Sequence, residues 1–166
     1  GWGKRSGATS VVLADGSIVL IGGLIYNDVW RSVDQGVNCS QMTAAAGWSA
    51  RWLHTSVLLT DGSIMLMGGW DSYGVRNDVW RSTDQGATWT QQTASAAWAA
   101  RRAHTSVAIG TSIWLMGGSI DGSAFNDVWC SDDLGVTWEQ VTAAAGWTER
   151  AYHTTVTLPS GSIVLM

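Results

Sequence analysis

Asn77-Asp78-Val79-Trp80-Arg81-Ser82-Thr83-Asp84-Gln85-Gly86-Ala87-Thr88-Trp89 decides the architecture of this 166-residue chain, because its pattern returns at residues 27–39 and again at 126–138. The first half of each copy is β-prone and the second is a polar, Gly-containing turn that leads into another short β-prone run. Upstream of each copy a Gly pair (Gly22-Gly23, Gly68-Gly69, Gly117-Gly118) follows an apolar run at 18–21, 64–67 or 113–116. Ahead of that run lies a tight turn, Asp15-Gly16 or Asp61-Gly62, shortened by one residue at Gly110-Thr111-Ser112. Trp2, Trp48, Trp98 and Trp147 open the repeating units at spacings of 46, 50 and 49 residues.

Periods of this length belong to propeller blades or helical arrays, and the residue types choose between them. Long 3.6-periodic stretches of Leu, Ala and Glu are missing, and short β-rich runs punctuated by Gly and Asp take their place. In the second unit, residues 51–59 read as strand a and 63–67 as strand b, an almost continuous apolar run suited to a strand buried on both faces. The Gly pair should end strand b; a loop at 70–76, strand c at 77–82, the turn at 83–87 and strand d at 88–93 complete the unit. The expected fold is all-β: a β-propeller of four-stranded antiparallel blades, with units at 2–47, 48–97 and 98–146 and the first two strands of a fourth at 147–166. Propellers use about 4 to 8 blades, so closure calls for additional blades or self-association.

Composition narrows the partners. Charged residues make up 13% of the chain, the net charge is -4, and the only basic clusters are Lys4-Arg5 and Arg101-Arg102, which leaves no footprint for nucleic acid. No apolar run is long enough to span a bilayer as a helix, so membrane insertion is not expected. Two Cys at different repeat positions form neither a disulfide framework nor a C-x-x-C zinc motif.

Arg-x-x-His ahead of a hairpin, an apolar strand followed by Gly-Gly, and a later strand with Trp together resemble the kelch repeat of β-propellers. Ser82-Thr83-Asp84-Gln85-Gly86-Ala87-Thr88-Trp89 resembles the Asp-box, or BNR repeat, S-x-D-x-G-x-T-W of sialidases and related propellers. Residues 131–138 match it equally, while 32–39 keep Ser32, Asp34 and Gly36 but carry Asn38 and Cys39 at the last two fixed positions. The resemblance implies a folding role for Ser82, Asp84, Gly86 and Trp89, and for Ser131, Asp133, Gly135 and Trp138. It also implies what a sialidase-like glycosidase would need: an Arg cluster, a Tyr nucleophile helped by Glu, and an acid Asp. Glu139 and Glu149 are the only Glu residues, Tyr26, Tyr73 and Tyr152 occupy unrelated repeat positions, and no carboxylate pair is visible.

In an up-and-down blade the a–b and c–d turns share one end and the d–a and b–c loops the other. The first end is nearly constant between units; the second varies, as binding loops on a fixed scaffold do. Trp70, Tyr73 and Arg76, in the b–c segment of the second unit, combine two aromatic faces with a forked donor and are candidates for stacking a sugar ring or pairing a carboxylate. Trp48, Trp98 and Trp147 precede strand a on the same face and either ring a pocket or pack between blades. Arg51 and Arg101 recur with Arg5 and Arg150, and His54 recurs with His104 and His153. On strands lining a central channel the Arg set is suited to an anionic group and the His set to a metal, but no metal site and no cofactor is assigned. The resulting expectation is a non-catalytic binding module for a glycan or protein, secreted or at the cell surface. A sialidase-like hydrolase fragment and a purely structural repeat of an extracellular assembly are the alternatives.

Overall fold

In the computed structural model, residues 2–166 are described, and they form antiparallel β-sheets joined by turns without a helix. Blade 1 consists of β1 (Thr9–Val12), β2 (Ile18–Gly23), β3 (Tyr26–Ser32) and β4 (Ser40–Thr43), hydrogen-bonded in that order. Blade 2 repeats the order with β5 (Thr55–Leu58), β6 (Ile64–Asp71), β7 (Gly74–Ser82) and β8 (Thr90–Thr93). Blade 3 has β9 (Thr105–Ile109), β10 (Ser112–Met116), a small hairpin of β11 (Ser119–Ile120) and β12 (Ser123–Ala124), then β13 (Val128–Ser131) and β14 (Glu139–Thr142). The hairpin β15 (Thr155–Thr157) and β16 (Ile163–Leu165) follows as the a and b strands of a fourth unit. The first strands β1, β5, β9 and β15 touch one another in sequence, so the blades stand side by side around their inner edges as in a propeller.

The core lies between blades. Alternate residues of strand b serve opposite neighbours: Val19 and Ile21 of blade 1 join Ile64 and Leu66 of blade 2 in one apolar cluster, while Met65 and Met67 join Ile113 and Leu115 of blade 3 in the next. Each of these eight side chains is fully buried, which explains the near-continuous apolar run of a strand covered on both faces.

Three sequence expectations are corrected. Strand a starts at Thr55 and not at Arg51, because the segment ahead of it turns through Leu53 at φ 56. The Gly pair does not end strand b in blades 1 and 2: the ladder continues past it through a register shift between Met67 and Gly69, where Gly68 and Gly69 take φ values of 56 and 95. A Cβ on Gly69 would come within 2.7 Å of the His54 Cβ, so close approach as well as dihedral angle selects glycine there. Residues 70–76 are consequently not a loop. Trp70 pairs with Val75 and Asp71 with Gly74, which extends the β6–β7 hairpin to a two-residue tip at Ser72-Tyr73.

Candidate functional site

The end of the blades that carries the d–a and b–c connections is assembled around a repeated ion pair. Arg51 donates from Nη1 and Nη2 to the two carboxylate oxygens of Asp78 at 2.6 and 2.8 Å, from Nη1 to the Gly68 carbonyl at 3.0 Å and from Nε to the Ser49 carbonyl at 3.1 Å. Arg101 repeats this with Asp127 and the Gly117 carbonyl, and Arg5 with Asp28 and the Gly22 carbonyl. The indole N–H groups of Trp30, Trp80 and Trp129 donate to the same Asp residues at 2.7 to 2.8 Å. The Arg side chains therefore lock strand c to the segment ahead of strand a. Arg51 and Arg101 are 1% and 0% exposed and fully engaged, so they present no guanidinium to an anionic ligand, a correction to the sequence expectation. The one sequence trace of these partners is an Asp two residues before Trp in every copy of the repeat; that it meets the Arg is visible only in the fold.

Trp48 and Trp98 are likewise core. Both are buried, with indole edges set nearly perpendicular to Trp89 and Trp138 at centroid distances of 6.0 and 5.8 Å. Their indole N–H groups have no hydrogen-bond partner among the described residues, so the rings are held by buried area and aromatic contacts. Trp147 is half-buried beside His153, with the Arg150 guanidinium 6.0 Å over its ring. Of the three Trp candidates only Trp147 retains exposure.

Trp70, Tyr73 and Arg76 lie together on the β6–β7 hairpin, organised by a residue the sequence did not single out. Asp71 is fully buried and accepts hydrogen bonds from Arg76 Nε at 2.7 Å, the Tyr73 backbone N–H at 2.8 Å and the Ser49 hydroxyl. Burial pushes its carboxyl up, but the three donors outweigh that and hold it below the usual carboxylate range. Trp70 is packed by protein groups: the Trp52 ring lies near-parallel to it at 6.4 Å and 22°, and the Arg102 guanidinium lies 4.2 Å over the ring. Tyr73, 84% exposed at the hairpin tip, is the free aromatic of the set, with Arg76 5.5 Å over its ring.

At the opposite end the c–d turns form closed local networks. The Ser82 hydroxyl donates to Asp84 at 2.9 Å and accepts the Gly86 N–H at 2.9 Å, while Asp84 accepts from the Thr88 N–H and hydroxyl at 2.8 and 2.6 Å. Residues 131–137 repeat these bonds, and the indole N–H groups of Trp89 and Trp138 donate to the Gly86 and Gly135 carbonyls. Gly86 and Gly135 approach Val29 and Val79 of the preceding blade so closely that a Cβ would lie 2.7 Å from each valine. Gln85 and Leu134, the residues before them, also take left-handed φ values near 62, which the sequence pattern did not reveal. The a–b turns of blades 1 and 2 border a cleft of about 450 Å³ lined by Leu13, Leu58, Leu59 and Gln85 on this same end.

The three histidines are each tied to the first strand of the preceding blade. The Nε2 atoms of His54, His104 and His153 hydrogen-bond Thr9, Thr55 and Thr105 of the preceding blade at 2.9 to 3.0 Å. Burial, and next the charge of Arg51, lower the His54 pKa to about 3, and the same pair of causes acts on His104 through Arg101. Among the described residues no group of three His, Cys, Asp or Glu side chains is placed to hold a metal.

A family model described as the kelch motif matches residues 100–142, which includes Arg101, the Gly117-Gly118 pair, Asp127 and Trp129. No curated protein matches the chain. The solved structure of YjhT superposes with a TM-score of 0.77 at 14% identity, over 93% of this chain and 56% of that one. This chain thus spans little more than half of that structure, and at such identity the likeness concerns the fold. Over blade 3 the sequence is similar to the kelch motif, and the described residues as a whole have the β-propeller fold.

Proposed function

We propose that this chain is a non-catalytic interaction module that offers the end carrying the d–a and b–c connections to a protein partner. One observation carries the reading: the strongly exposed aromatic residues Trp2, Tyr73 and Tyr152, at 47%, 84% and 68%, all belong to connections at that end. Aromatic side chains are enriched in protein interfaces because they bury large areas with few rotatable bonds. The non-catalytic part is supported by the carboxylates themselves, since Asp71, Asp84 and Asp133 spend their oxygens on local donors. Closure through further blades, from the same polypeptide or a second copy, belongs to the proposal: Gly36 of blade 1 has nothing within 4 Å, whereas Gly86 and Gly135 seat on a preceding blade.

A displayed library of random peptides selected on the intact protein tests the assignment. Binders should weaken on the order of tenfold with Tyr73→Ala, a loss of at least about 1.4 kcal/mol, and be unaffected by Val37→Ala in the c–d turn of blade 1. A selection without binders, or binders sensitive to Val37 and not to Tyr73, refutes it.

A further inference from the structure

Of the eight arginines, six form ion pairs within the chain: Arg5, Arg31, Arg51, Arg76, Arg81 and Arg101. Arg150 bonds the carbonyl and hydroxyl of its own Thr148. Arg102 differs from all of these. Among the described residues its side chain has neither an ion pair nor a hydrogen bond; its Nε is buried without an acceptor, as is that of Arg81, while its Nη groups are not buried. Asp121 lies in the hairpin that the Arg102 backbone joins through Ser119, yet the two make no ion pair. A half-buried guanidinium has lost part of its hydration, so a carboxylate that reaches its accessible Nη groups supplies acceptors that water no longer fully provides.

The guanidinium is also held in place. It rests 4.2 Å over the Trp70 ring, Trp70 packs against Trp52, and the backbone of Arg102 exchanges hydrogen bonds with Ser119 at 3.1 and 2.9 Å. None of this belongs to the repeated scaffold. The residues equivalent to Arg102 are Ser6, Trp52 and Ala151, and those equivalent to Trp70 are Leu24 and Ser119. A blade-specific cation, fixed on an aromatic face and lacking a counter-ion in a chain of net charge -4, is a recognition element in want of an anion.

We propose that Arg102, stacked on Trp70, receives a side-chain carboxylate from an acidic peptide segment of the partner that docks on this face. The inference rests on the interaction-module reading and adds the chemistry of the partner. Two N–H groups of the planar fork match the two oxygens of a carboxylate, and the preset stack lowers the entropy lost when they meet. Tyr73 and Arg76, on the same hairpin, flank the segment.

The same peptide selection, run on the intact protein, supplies the test. Selected peptides should share an Asp or Glu whose replacement by Asn or Gln weakens binding about 10- to 100-fold, the range for hydrogen bonds to charged groups. That discrimination should disappear with Arg102→Gln, and Arg102→Lys should restore only part of it because an ammonium lacks the fork. Thermal melting of both variants verifies that the blade is intact, and Trp70→Leu, which removes the platform while keeping Arg102, should reduce the same discrimination. Peptides that depend on Tyr73 but show no acid preference, or keep it with Arg102→Gln, overturn the inference and leave the interaction reading standing. Failure to select any peptide overturns both. Displacement of the acidic peptides by an oligouronate, with higher affinity than the peptides themselves, would assign the carboxylate to a sugar and also overturn the proposal.

Discussion

Replacing Asp78 by Ala tests the view that the repeated arginines are structural. The substitution removes both acceptors of the Arg51 fork, at 2.6 and 2.8 Å, and the acceptor of the Trp80 indole N–H at 2.8 Å, around a guanidinium that is 1% exposed. Breaking one side of a buried ion pair costs about 3–5 kcal/mol, because the surviving charge stays buried without compensation. For a domain of this size that corresponds to a fall in melting temperature of roughly 6 to 20 °C. The companion change Arg51→Met should cost a similar amount, but the double variant should cost far less than the sum, since no charge is then stranded. Urea unfolding of the wild type, both single variants and the double variant, read by Trp fluorescence with a constant denaturant slope, gives the cycle. Single-variant costs below about 1 kcal/mol, or strictly additive ones, would refute the buried-pair account and return Arg51 to the list of available binding groups.

Other consequences are as specific. Ser82→Ala orphans the buried Gly86 N–H and should destabilise by about 1–3 kcal/mol in thermal or urea unfolding. Gly69→Ala adds a clash 2.7 Å from His54 to an unfavourable φ of 95 and should prevent a stable blade joint, whereas Gly62→Ala, at φ 83 with open space around it, should cost only on the order of 1 kcal/mol; melting temperatures rank the two. For His54 the folded pKa of about 3 lies below the unfolded 6.5, so the unfolded chain takes up the proton first. Stability should be full above pH 6.5 and fall with acidification toward pH 3, by at most about 1.4 kcal/mol per pH unit for each such histidine, and His54→Gln should flatten the profile measured between pH 6.5 and 4.5.

Much of the fold is legible in the residues because it is local and repeated. The unbroken apolar run of Ile64, Met65, Leu66 and Met67, the turn chemistry of Asp61-Gly62, and the Ser82, Asp84 and Gly86 bonds are all written within a few residues. Each repetition of such a pattern is a further sample of the same local rule. The b–c hairpin was harder to read. Trp70 to Arg76 looks like a variable loop because its residues alternate imperfectly, and only the Gly68-Gly69 bulge, which lets the ladder resume at Trp70 and Val75, makes it a strand pair.

The candidate site divides along the same line. Exposure of Tyr73 follows from its place at a two-residue hairpin tip. The roles of Arg51, Arg101, Trp48 and Trp98 could not be read from their repetition, since a ring of ligand-binding groups and a ring of structural ones repeat alike. Their assignment waits on which acid or apolar surface lies opposite each side chain, and those partners are up to 27 residues away in sequence or in the neighbouring blade. Arg101 and Arg102 show the difference most sharply. Adjacent and chemically identical in the sequence, they point to different surroundings: one meets Asp127 in the core, and the other meets Trp70 and no carboxylate. The sequence by itself determined the blades, because strand period and turn chemistry are short-range properties. The tertiary structure alone decided which charge is spent and which is free, because burial and pairing depend on groups that only folding brings together.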